Sequence, residues 1–164
     1  MRLLRILRLD DSDTEVYFPA ARAGEPAVPG TFMFTFNDVD PERLGGSEAE
    51  AFRRGFLGLE TLGWGTLVTV AEVSEAERRA AVDRLTAVFI DRFGAPDEAA
   101  ARAQAEEELA FVDSLCEQPV NTILSLQRSV GEEEVEEQFH THTQQADWEA
   151  PQYPVFRITP EGEG

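Results

Sequence analysis

The sequence predicts an α+β fold, a two-layer sandwich whose sheet is mainly antiparallel or mixed and carries helices on one face. Three observations predict it. Two helices have clear start signals, the strands come in uneven succession, and no Gly-rich phosphate loop follows a strand. The order reads β-β-β-α-β-α-α-β, with too few strands, too unevenly spaced, for a doubly wound parallel sheet.

Residues 2–9 are apolar and branched enough for a first strand, ended by the turn-forming cluster Asp10-Asp11-Ser12-Asp13. Glu15-Val16-Tyr17-Phe18 reads as a second short strand. Gly24, Pro26, Pro29 and Gly30 then impose a loop. Thr31 to Phe36 alternates, with Phe32, Phe34 and Phe36 on one face and Thr31, Met33 and Thr35 on the other, which predicts a third strand. Asp40-Pro41 suits the opening of one helical turn. Ser47-Glu48-Ala49-Glu50 carries the order of a capping box, and Ala49, Phe52, Phe56 and Leu59 follow at helical spacing. Gly55 and Gly58 weaken that helix or admit another backbone.

Thr66 to Val73 is the clearest strand. It leads into Ser74-Glu75-Ala76-Glu77, a second capping box, and a helix to about Phe93 with Gly94 as its C-terminal cap. Pro96 opens the next helix, roughly 97–117, with Ala101, Ala105, Leu109, Val112 and Cys116 along one stripe and Glu106, Glu107 and Glu108 around the outer side. Pro119 ends it, and Val120 to Val130 returns as a strand. The expected organisation is one domain over 1–130 followed by an acidic, partly mobile tail over 131–164. Pro151, Pro154 and Pro160 break regular structure there, although Tyr153 to Ile158 is long enough for an edge strand.

Composition narrows the function classes. The net charge is −18, and residues 131–164 hold nine acids against Arg157 alone. Such a surface repels phosphate backbones and anionic bilayers, which argues against nucleic acid and membrane partners and for a partner with a basic surface. No apolar run approaches the length of a membrane span. All fourteen basic residues are Arg, so lysine chemistry is excluded from this chain. Cys116 is the lone cysteine, which rules out an internal disulfide and fits a cytoplasmic setting.

Two constellations stand out. Arg53 and Arg54 lie among Phe52, Phe56 and glycines, with Trp64 beyond, a set suited to gripping and stacking on an anionic ligand. His140-Thr141-His142 puts two imidazoles on one side of an extended segment, the start of a metal site if Glu136, Glu137 or Asp147 adds a carboxylate. Asp10 to Asp13 with Glu15 is rich in carboxylates, but in a calcium-binding loop starting at Asp10 the positions that need Gly and an acid are Glu15 and Ala21. No serine sits in a nucleophile elbow.

Several strings resemble a small, mainly proteobacterial family of uncharacterised proteins: Asp11-Ser12-Asp13-Thr14, Phe52 to Leu59 with Gly63-Trp64-Gly65-Thr66-Leu67-Val68, Arg92-Phe93-Gly94-Ala95-Pro96-Asp97, and Glu106 to Cys116. The resemblance spans about residues 1–130 and implies an accessory role. It carries over no site residue and no cofactor. The expectation is therefore an accessory or interaction module without catalytic activity, able to form a homodimer. The alternatives are an anion binder or enzyme at Phe52–Trp64 and a metal carrier at His140 and His142.

Overall fold

The alternation that marks the first and clearest strands also fixes their pairing. The computed structural model describes residues 1–9, 12–35, 40–132 and 134–142. In it β1 (Arg2–Leu7) runs antiparallel to β5 (Leu67–Glu72) over its whole length, from Arg2 opposite Glu72 to Leu7 opposite Leu67. Around this pair lie β2 (Pro26–Val28), β3 (Phe56–Gly58), β4 (Trp64–Gly65), β6 (Ile123–Val130) and β7 (Val135–His142). The spatial order is β4-β3-β2-β1-β5-β6-β7, every neighbouring pair antiparallel. With its helices this is an α+β fold, as expected.

Residues directly opposite each other in antiparallel strands share a face. Leu4 faces Val70, Ile6 faces Val68, Val68 faces Leu124 and Leu126 faces Phe139, so one face gathers a continuous set of buried apolar side chains. Two long helices follow the sequence signals closely. α4 (Glu75–Phe93) starts in a complete capping box, Ser74 Oγ accepting from Glu77 N at 3.1 Å and Glu77 Oε1 from Ser74 N at 3.0 Å. Such a cap contributes about 1 kcal/mol. It ends at Gly94 with φ +62°, the left-handed geometry glycine tolerates. α5 (Glu98–Leu115) is capped by Asp97, which accepts from Ala100 N. Its stripe of Ala101, Ala105, Leu109 and Val112 is buried, and Phe111 brings it onto the sheet face, its ring centroid 5.8 Å from that of Phe139. At the helix end the Arg2 guanidinium donates to the carbonyls of Cys116 and Gln118.

Several elements differ from the sequence expectation, among them β2 (Pro26–Val28), a short strand where a loop was expected. The strand expected over 15–18 is the end of α1 (Ser12–Val16), followed by buried Tyr17, whose hydroxyl lies 2.7 Å from Thr66 Oγ1. Ser12-Asp13-Thr14-Glu15 has the order of a helix start, which outweighs the β propensity of Val16 and Tyr17. The strand expected over 31–36 is α2 (Phe32–Thr35), with Phe36 outside the described residues. Gly30, at φ +79°, turns the chain just before it. Phe32 then packs on Phe89 and Phe93, and Phe34 on Phe52 and Trp64. Both rings find partners in one compact turn that an extended segment would separate.

Asp40 does open a single 3-10 turn at Pro41–Arg43, accepting from Glu42 N. α3 (Gly46–Arg54) is preceded by Gly45 as N-cap, not by Ser47, and it stops five residues before Leu59, the end of its periodicity. A Cβ on Gly55 would sit 2.8 Å from the Trp64 ring, and one on Gly58 would sit 2.4 Å from the Glu25 carboxyl. These glycines exist for close approach, and the chain between them pairs as β3 with β2 and β4. Finally, residues 135–142, expected within an irregular acidic segment, form β7, paired residue by residue with β6 from Ile123–His142 to Val130–Val135. The edge strand expected at 153–158 lies outside the described residues.

Candidate functional site

β6 alternates Leu124, Leu126, Arg128 toward the interior, and opposite Arg128 the register places Glu137 of β7. Both are buried, Arg128 2% exposed and Glu137 5%. A charge there is tolerable only if fully bonded. Arg128 Nε donates to Thr31 Oγ1 at 2.8 Å and to Glu137 at 3.4 Å, Nη1 to the carbonyls of Ala51 and Phe52 at 3.1 and 3.0 Å, and Nη2 to the carbonyl of Pro29. Both α3 carbonyls lie in the helix's last turn, its negative end, where a cation is favoured; Ala51 O also accepts from Gly55 N at 2.9 Å. The Thr31 hydroxyl donates in turn to Glu137. Burial pulls the Arg128 pKa below its ordinary value, and Glu137 works the other way.

Next to this cluster opens a cavity of about 460 Å³ between α2, α5 and β7. Phe32, Phe111 and Val135 supply apolar wall, Thr31, Thr35 and Gln104 neutral polar groups, and Glu107, Glu108, Glu134 and Glu137 carboxyls. Glu108 was expected on the outer side of its helix. It instead faces inward, keeping part of its side chain on the cavity. Burial, and then the neighbouring Glu137 charge, push its carboxyl up to about 7, against the opposing pull of a Gly30 N–H bond and of Arg128. Two carboxyls in one cavity thus have different characters, one clamped by an arginine and one ready to hold a proton near neutrality.

Gly30 is indispensable to this geometry. It adopts φ +79°, and a Cβ there would lie 2.6 Å from Leu57 Cβ.

The residues singled out from the sequence are distributed over several places. Arg53 and Arg54 are exposed and both donate to Glu50, at 2.7 and 2.5 Å, which holds the Glu50 pKa below its ordinary value, the Arg53 bond first among the causes. They line a groove of about 490 Å³ that also includes His140, Gln127 and Ser125. Trp64 is not in that groove; it is buried, 5.3 Å from Phe34, beside a separate hollow of about 180 Å³. His142 Nε2 lies 2.9 Å from Ser125 Oγ. Among the described residues no three His, Cys, Asp or Glu side chains are grouped to hold a metal ion, and Asp147 lies outside them. Cys116 is buried, its thiol pushed up to about 12 mainly by burial.

Comparison with known proteins extends the resemblance read from the sequence. A model of the DUF6505 family, a family of unknown function, matches residues 1–155. The chain belongs to that family. No curated protein and no solved structure matches it. The DUF6505 match runs beyond Val130 and takes in β7, so the strand that brings Glu137 lies within the family region.

Motif reading considers Glu137 only as a metal-binding carboxylate beside His140 and His142, and Glu108 and Arg128 are the functional candidates that it passes over. Their signals were periodic. Ala101, Ala105, Glu108 and Val112 recur at i, i+4, i+7 and i+11, and Arg128 continues the Leu124, Leu126 alternation.

Proposed function

We propose that this protein is a cytoplasmic accessory module that captures a small molecule in the cavity between α2, α5 and β7. The cavity carries the reading: its volume falls within the range of ligand pockets, and an apolar wall faces a few polar groups across it. The thiol of Cys116, buried and pushed up to about 12, is unsuited to nucleophilic work, which supports capture over chemistry. Ligand-observed and amide NMR with cationic, neutral and anionic fragments is the test. Fragments that shift the Phe111 and Val135 amides and are excluded by Val135→Trp are the expected result. If no fragment class perturbs these amides, the reading is wrong.

A second reading is favoured by the groove shared by Arg53, Arg54 and His140. The sequence suggested Arg53 and Arg54 for an anion; here the His140 imidazole joins them in place of Trp64, with Glu50 as the internal competitor. Titration with inorganic phosphate and citrate should then show binding that is lost in Arg54→Ala; equal binding by that variant would remove the reading. The net charge of −18 supports a partner with a basic surface. A homodimer belongs to the same accessory role and is checked by sedimentation equilibrium.

A further inference from the structure

The carboxyls around the cavity are not matched by positive charge. From α5 come Glu107 and Glu108, and from β7 come Glu134 and Glu137; no basic side chain is among the cavity's described lining residues. The cation acting on Glu108 is Arg128, whose guanidinium is already engaged by Glu137, Thr31 and three backbone carbonyls. Glu108 and Glu137 therefore face one arginine between them. With both ionised, this inner group carries an excess negative charge in a poorly solvated place, which is unfavourable. The group can be balanced by a proton or by a positive charge brought in from outside.

Resting on the reading of the cavity as a ligand site, we propose that its ligand is a small organic cation with an apolar body, whose charged end sits at Glu108 and releases a proton from that carboxyl to solvent. The apolar body meets Phe32, Phe111 and Val135, and aromatic rings beside a cation add attraction of their own. A carboxyl raised to about 7 makes the exchange cheap at neutral pH: the unliganded protein can hold a proton at Glu108 there, and the liganded one does not. The other titratable groups facing the cavity, Glu107, Glu134 and Glu137, add to the same negative field.

Isothermal titration of the full chain with phenethylamine, 2-phenylethanol and phenylacetate separates the possibilities. The amine should bind more tightly as pH rises from 5 to 8, by up to about tenfold per unit below 7. At pH 7, heats in phosphate and Tris should differ by the uptake of about half a proton per site. Glu108→Gln should weaken the amine at least about tenfold and abolish the proton signal, while Glu106→Gln, outside the cavity, should leave both unchanged. Circular dichroism melting confirms that each variant is folded; if Glu108→Gln is not, the two-buffer measurement on the unaltered protein decides alone. Binding of the alcohol or the anion in preference to the amine overturns the cation proposal and leaves the ligand cavity standing. Amine binding without proton release overturns it too. Failure of all three probes removes both.

Discussion

Arg128 and the pair Arg53–Arg54 are all arginines bonded to a glutamate, yet they occupy opposite environments. Arg128 is buried, meets five oxygen acceptors and joins β6 to α3, to the turn after β2 and to β7. Arg53 and Arg54 project into solvent around Glu50 within a single helix. The comparison teaches that residue type says little until burial is known. The exposed cluster attracts notice in the sequence because two arginines adjoin, whereas the buried one, scattered from Pro29 to Glu137, organises the interior.

Breaking the buried cluster should have the largest effect. Arg128→Ala removes the counter-ion of buried Glu137, which keeps the Thr31 hydroxyl, and takes a donor from the carbonyls of Pro29, Ala51 and Phe52, of which Ala51 retains the Gly55 N–H; about 3–5 kcal/mol of stability should disappear, read as a lower urea midpoint. A fall of less than 1 kcal/mol would mean that the interior tolerates an unpaired Glu137. Gly30→Ala comes second. It combines left-handed backbone with a contact to Leu57 that must yield, and about 1–3 kcal/mol should be lost in the same measurement.

The third prediction concerns pH. Glu108 has a folded pKa raised from 4.5 to about 7, so below 4.5 both folded and unfolded chains hold the proton and there is no penalty. Between 4.5 and 7 the unfolded chain sheds it first, and stability falls as pH rises; above 7 the loss is complete. The loss is on the order of 2 kcal/mol, allowing for partial screening at the cavity. Glu108→Gln should remove this downward limb, so the difference between variant and unaltered protein should grow from pH 4.5 to 7 and then level off. A constant difference would contradict the assignment. Last, Glu50→Ala should change stability by less than about 1 kcal/mol, with the change shrinking in 0.5 M salt, as exposed ion pairs do.

The parts of the fold legible from the sequence are those fixed by local signals. Ser74 with Glu77, Gly94 and Asp97 bound the two long helices through interactions within a few residues, and β1 and β5 are rich in branched apolar residues. The parts that were not legible depend on distant partners. Phe32 and Phe34 fit a strand equally well by alternation, and only the rings of Phe89, Phe52 and Trp64 choose the helical turn. β7 is hidden by its own acidity: Val135, Glu137 and Phe139 face inward, and the middle one is a carboxylate acceptable only because Arg128 stands opposite. The same applies to the candidate site. Arg53 and Arg54 line a groove with His140, which the sequence reading assigns to a different site; Trp64 is drawn into the core, and the other cavity is built around a glutamate assigned by habit to the wet side of its helix.

The eight-rung ladder between β6 and β7 has a practical consequence for anyone preparing shortened clones. Trimming the glutamate-rich end at Val130, where composition changes, would strip away Phe139 together with the counter-ion of Arg128 and uncover a hydrophobic face. Any shortened form must run past His142 to keep the hairpin whole, and the family match itself extends to residue 155.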